Sequence, residues 1–288
     1  MNASTNALAR KQGPRFLIRP YEQICVDETH RNYLIKGLIS STGIAVIWGP
    51  PKCGKSFWAL DAALHVALGW EYRGRRVRQG LVLYLALEGA KAFEARVEAF
   101  RQHHNAANAD FGLITAHLNL VAEHQALLGE IRQQVRDRKP VAVFIDTLNR
   151  SLKGSESKDE DMAAYIAAAD AVATAFECVV PIVHHCGVDA TRPRGHTSLT
   201  GAVECQLAIR RDAAAGQFIV TLEFCKDGPE GAELVCKLEP VNVGIDPDGD
   251  AITTCVVIEG VPAPPTARNS KLAAVPLAGL RVLNECLS

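Results

Sequence analysis

The chain has 288 residues, 48% hydrophobic and 22% charged, ordinary proportions for a soluble globular protein, and its formal net charge of −1 at pH 7 leaves no whole-chain positive field for nucleic acid. No apolar run approaches the roughly 18 residues of a membrane span, and residues 1–14 lack the apolar core of a signal peptide, so a cytoplasmic protein without membrane contact is expected. Nine cysteines, an odd number without a C-x-x-C pair, suit reduced thiols better than a disulfide framework.

Residues 1–20 read as a disordered polar arm, and 21–42 as a lead-in ending in an apolar stretch, 33–39, that packs beside the first strand. Residues 43–48 form a buried strand. After it comes Gly49-Pro50-Pro51-Lys52-Cys53-Gly54-Lys55-Ser56, then Phe57, Leu60, Leu64 and Leu68 at helical spacing until Gly69 and Trp70 end the segment. The basic run Arg73-Gly74-Arg75-Arg76-Val77-Arg78 fits a hairpin-like connection, either a solvated turn or a reserve nucleic-acid contact. Residues 81–87, after Gly80, and 141–145, after Pro140, are continuous apolar runs and read as strands buried on both faces. Helical patterns over 94–103 and 126–138 lie between them, so strand and helix alternate and a parallel sheet with crossover helices is predicted. A further strand ends at His184-His185, with Pro181 as an obstacle inside it. From Gln206 the runs 207–210, 218–224, 234–238 and 253–258, separated by Asp/Gly turns, predict antiparallel strands on one side of the sheet. The expected organisation is an arm over 1–20, one α/β domain over 21–260, and a Pro-rich linker with a short helix, 272–287, over 261–288.

The octet fits G-x-x-x-x-G-K-[ST] between a strand and a helix, which aims backbone N–H groups and a helix N-terminus at phosphates. Lys55 is placed to reach the β- and γ-phosphates of a nucleoside triphosphate and Ser56 to ligate Mg²⁺. Asp146, ending the 141–145 run, is the matching magnesium-organising carboxylate. Glu88, ending the run 83–87, is read as the base that polarises water toward the γ-phosphate, from a strand taken to lie next to the loop strand; the alternative is an exposed strand-end acid.

Together the octet, Leu87-Glu88-Gly89 with Arg96 further on, Phe144-Ile145-Asp146-Thr147, Val183-His184-His185 and Lys226-Asp227-Gly228-Pro229-Glu230-Gly231 resemble the RepA-type hexameric replicative helicases, within the RecA/DnaB-like P-loop ATPases. The resemblance covers roughly residues 33–240. It implies a RecA-like core, Glu88 as catalytic base, His185 as a γ-phosphate sensor, and ATP with Mg²⁺ as cofactors. It also implies a homo-oligomer, a hexameric ring, acting on single-stranded DNA as a helicase or translocase of phage or mobile-element replication. Lys226 stands where relatives carry a cation reaching the neighbour's ATP, with Arg210 and Arg211 as substitutes on the preceding strand; Lys lacks the bidentate fork of Arg. The loop 187–201, with Arg192 and Arg194, is implied to grip DNA, although it has no aromatic for stacking and also reads as a solvated loop. A nucleotide-switched regulatory or recombination-mediator ATPase without unwinding activity is the alternative.

Overall fold

The computed structural model describes residues 18–25, 32–187, 192–226 and 228–262. The expected C-terminal helix and most of the polar arm lie outside these residues. Contacts divide the chain into Met1–Arg31 and Asn32–Ser288; in the first, the described residues form a single 3-10 turn, Tyr21–Gln23.

The second unit opens with a small antiparallel pair, β1 (Tyr33–Ile35) and β2 (Ile39–Ser40). Strand β3 (Gly43–Gly49) leads into α1 (Lys55–Leu68), followed by β4 (Val82–Ala86), α2 (Ala90–His104), β5 (Phe111–Ile114), α3 (Leu120–Val135) and β6 (Ala142–Asp146). The short α4 (Leu148–Ser151), then α5 (Asp159–Phe176), β7 (Val179–His185), α6 (Ser198–Ala202) and β8 (Cys205–Asp212) complete the alternating part. Three strands follow: β9 (Gln217–Cys225), β10 (Glu233–Ile245) and β11 (Ala251–Glu259). The main sheet has the order β11-β10-β9-β8-β3-β7-β6-β4-β5. It is a RecA-like P-loop core, parallel from β8 to β5 and antiparallel from β8 to β11.

Period-two alternation explains why β3 reads as an unbroken apolar run. Ala45 and Ile47 face the layer of α1 and α2, whereas Ile44, Val46 and Trp48 face α3 and α5, and all five are buried. Helix α1 stops where the sequence indicates: Gly69 takes φ +73° and its N–H reaches the Val66 carbonyl at 3.1 Å.

The topology corrects three expectations. Strand β8 is parallel to β3, so the antiparallel region begins one strand later than the turn pattern from Gln206 suggests. Strand β4 is separated from β3 by β7 and β6, so Glu88 does not follow a strand next to the loop strand. Pro181 lies inside a central strand: β7 pairs with β3 continuously, while the β6 ladder pairs only at Ala142↔Val179 and from Ile145↔Ile182 onward. The missing N–H therefore falls on the β6 side and costs a local gap rather than the strand.

The basic run 73–78 is the hairpin-like turn expected, closed by reciprocal Tyr72 and Arg75 backbone bonds of 2.8 and 3.0 Å around Arg73 (φ +52°) and Gly74 (φ +71°). Arg73 is not a solvated cation, however. Its guanidinium is buried against Asp61 of α1 at 3.1 Å and also meets the Val257 carbonyl of β11. Burial pushes the Asp61 carboxyl up to about 7 against the pull of Arg73. Arg73→Ala should therefore cost about 3 kcal/mol in urea unfolding, because it leaves a buried carboxyl without its cation. A raised folded-state pKa contributes stability at low pH that is lost as pH climbs through it. The variant's deficit should accordingly widen above pH about 7, where the parent's ionised Asp61 is compensated. A loss below about 0.5 kcal/mol would assign the pair to ordinary surface electrostatics.

Candidate nucleotide-binding site

The phosphate-binding loop is built by its glycines. A Cβ on Gly49 would sit 2.2 Å from the Ile209 carbonyl oxygen of β8, and Gly54 enters α1 at φ +101°. No side chain fits the first position, and the second favours glycine. The Lys55 ammonium is buried inside the loop, donating to the carbonyls of Gly49 (2.9 Å) and Pro50 (2.7 Å). Desolvation lowers its pKa, as expected of a buried cation held by neutral acceptors.

A cleft of about 490 Å³ opens over this loop. Lys55, Ser56, Glu88, Asp146 and His185 all line it, although they come from four strand ends. The C-terminal edge of a parallel sheet collects them, because every parallel strand ends on the same side. Asp146 is almost fully buried, and its carboxylate accepts the Tyr84 hydroxyl at 2.7 Å, with Ser56 nearby. Burial raises its pKa, opposed by Tyr84 and Ser56 and by the charges of Arg96 and Lys55. The hydroxyl oxygen of Thr147 is buried beside it without a partner among the described residues.

Glu88 follows β4, half exposed, and accepts a 2.9 Å hydrogen bond from Arg150 of α4. That bond, ahead of Arg150's charge, holds its carboxyl below the ordinary range. His185 pairs with Gly49 across the β3–β7 ladder, and its Nδ1 is buried without a partner among the described residues. Desolvation and then Lys55 lower its pKa, which keeps the ring neutral. The neighbouring His184 is fully buried, with Nε2 at 2.7 Å from the Arg194 carbonyl, and the Arg194 N–H donates to the His185 carbonyl at 2.9 Å.

The remaining sequence-derived residues lie outside the cleft lining. Lys226 is paired with Glu204 at 3.2 Å, Arg210 with Glu223 at 3.3 Å, and Arg211 is exposed on β8. Arg192 is exposed. Arg194 is exposed as well, with its Nε 3.0 Å from the buried Glu156, whose other carboxylate oxygen accepts from Asn149 at 3.0 Å. Gly195 closes this junction, since a Cβ there would sit 2.4 Å from the Glu156 carbonyl oxygen.

Sequence reading passes over Tyr84, Arg150 and Glu156. A hydroxyl-bearing ring in an otherwise aliphatic strand is a usable signal for Tyr84, because a buried phenol needs a partner. Arg150 and Glu156 carry no such signal; their partners are 62 and 38 residues away along the chain.

Fold and loop together define a P-loop ATPase with a RecA-like core. A family model described as an AAA domain matches residues 21–191, more than half of the chain. The protein belongs to that family. No curated protein matches it. Among solved structures, a crystal structure of the RadB recombinase is similar with a TM-score of 0.50 and 16% identity, covering 70% of this chain and 90% of that chain. At that identity the likeness concerns the fold. The resemblance to RepA-type replicative helicases is therefore corrected: the family found is the AAA domain, and the similar fold is that of a recombinase. Among the described residues no helix is long and apolar enough to cross a membrane.

Proposed function

We propose that residues 21–260 form a Mg²⁺-dependent ATPase whose nucleotide state switches a DNA-associated assembly, a regulatory or recombination-mediator ATPase rather than an unwinding motor. The convergence of Lys55, Ser56, Glu88, Asp146 and His185 on one cleft carries this reading. Lys55 exchanges the Gly49 and Pro50 carbonyls for phosphate oxygens, and the N–H groups at the start of α1 complete the cradle. Glu88 takes the proton of the attacking water.

The donor chemistry fits Mg²⁺. Ser56 and Asp146 offer hard oxygens in the lining of the same cleft, and Thr147 adds a hydroxyl that has no partner among the described residues. When bound, the ion neutralises phosphate charge.

Neutral His185 stands at the cleft while its carbonyl holds Arg194, so a shift at the γ-phosphate is passed to the segment 192–196 through backbone bonds. The switch reading is favoured over the motor because three of the five implied trans and DNA-gripping cations are engaged in cis, Lys226 by Glu204, Arg210 by Glu223 and Arg194 by Glu156, while Arg192 and Arg211 are exposed. Likeness in fold to a protein titled a recombinase supports DNA association, and assembly as a homo-oligomer is part of the same proposal.

Anisotropy of a labelled single-stranded oligonucleotide, paired with a forked-duplex assay, tests the proposal. The Kd should differ several-fold between a non-hydrolysable ATP analogue and ADP, while the fork stays intact under ATP and Mg²⁺. Strand separation would make the protein a motor, and equal Kd values in both nucleotides would remove the switch.

A further inference from the structure

The short helix α4 follows the strand end that carries Asp146, and two consecutive residues of it lead in different directions. Arg150 donates to Glu88 at 2.9 Å. Asn149 donates to Oε1 of Glu156 at 3.0 Å, and Glu156 is almost fully buried although it belongs to the connection between α4 and α5. Acids in connections normally stay in water, and a buried carboxylate needs polar partners.

Glu156 takes its other partners from the segment 192–196. Its Oε2 lies 3.0 Å from Nε of Arg194 without the alignment of a hydrogen bond, so charge alone joins the pair. Its backbone carbonyl accepts the His196 N–H at 2.9 Å, and a Cβ on Gly195, where φ is +94°, would sit 2.4 Å from the same oxygen. So close an approach requires glycine. On the other side β7 holds Arg194: its N–H donates to the His185 carbonyl at 2.9 Å, and its own carbonyl lies 2.7 Å from Nε2 of His184. Desolvation lowers the pKa of both histidines, and the charge of Glu156 opposes it in both. The segment is thus clamped between a cleft strand and one buried carboxylate. The Arg194 side chain stays 57% exposed, so the clamp orients it rather than hiding it.

We propose that Glu156 is a positioning residue that couples the nucleotide cleft to the segment 192–196, acting through Arg194. This inference rests on the nucleotide-switch reading above. A shift of Glu88 between nucleotide states displaces Arg150, and Asn149, its neighbour on a single turn of helix, moves with it. Glu156 passes the displacement to Arg194. A charge contact tolerates such a shift better than a hydrogen bond does, because Coulomb attraction depends on distance whereas a hydrogen bond weakens steeply with angle.

Glu156→Gln keeps the shape and an acceptor for Asn149 and removes the charge, while Arg194→Met removes the other half of the pair. Hydrogen exchange of residues 192–198 and the Kd for a labelled single-stranded oligonucleotide are measured on the full chain, each with ADP and with a non-hydrolysable ATP analogue. In the parent both quantities should differ between nucleotides, the Kd several-fold; in Glu156→Gln the Kd ratio should fall to about one and the exchange difference should vanish. A residue that only supports the fold would lower the melting temperature and shift both nucleotide states alike, and that outcome overturns the proposal. Adding Glu156→Gln to Arg194→Met should change the ratio no further, since the two act as one pair. An additive effect would overturn the action through Arg194. Should Glu156→Gln not fold, Arg194→Met decides: a parent-like ratio overturns the proposal and a ratio near one supports it. If the parent itself shows no difference between nucleotides, the switch reading fails and the coupling with it; if the parent shows one and Glu156→Gln retains it, Glu156 alone is misassigned.

Discussion

Lys55→Ala is expected to abolish ATP binding at millimolar-or-lower nucleotide and turnover with it. The ammonium is the buried cation of the loop, and two neutral carbonyls, 2.9 and 2.7 Å away, are its strongest contacts in the protein. Phosphate oxygens are better partners, so the cation is worth more with nucleotide than without. Two charge-assisted bonds at about 1.5–3 kcal/mol each correspond to roughly 10²- to 10⁴-fold in affinity. Folding should suffer less, because removing Lys55 also removes a desolvated charge. Calorimetry supplies the Kd, and thermal unfolding with and without ATP gives an internal control. A variant that melts like the parent and is still stabilised by ATP would show that the loop does not bind phosphate through Lys55.

Glu88→Gln should separate binding from chemistry. Glu88 lines the cleft without belonging to the loop, so ATP affinity should change only a few-fold while turnover falls by roughly two orders of magnitude or more. Near-parent turnover in the Gln variant would reduce Glu88 to a strand-end acid. Arg150 gives the same assignment a pH signature. Its hydrogen bond holds the Glu88 pKa below the ordinary value of 4.5, so the base stays ionised to lower pH than a free carboxylate. Arg150→Ala should return the pKa upward and move the acid limb of kcat/KM to higher pH, with the alkaline limb unmoved. An acid limb in the same place would mean that another group titrates there.

Much of this protein is legible in its residues because the relevant forces are local. The octet, the apolar run before it and the 57–68 spacing after it specify a strand, a phosphate loop and a helix, since glycine freedom, backbone N–H direction and helical periodicity need no distant partner. The hairpin-like turn at 73–74 and the stop at Gly69 are legible for the same reason. Asp146 is legible as the polar end of a buried run, and Glu88 as another.

Strand order is not local. Which strands flank β3 depends on how crossovers pack, so Glu88 comes from a strand beyond β7 and β6, and β8 turns out parallel. Charge status is not local either. By type, Arg73, Arg96, Arg150, Arg194 and Arg210 are equivalent solvated cations. Only the fold buries Arg73 on Asp61, sets Arg150 on Glu88, brings Arg194 to Glu156 and leaves Arg96 at the cleft without an ion pair among the described residues. The reason is physical: backbone conformation is decided within a few residues, whereas the worth of a charge is decided by the dielectric and the counter-charge around it. The sequence by itself determined that the chain cradles a phosphate and roughly where; the tertiary structure decided which charges are free to meet it.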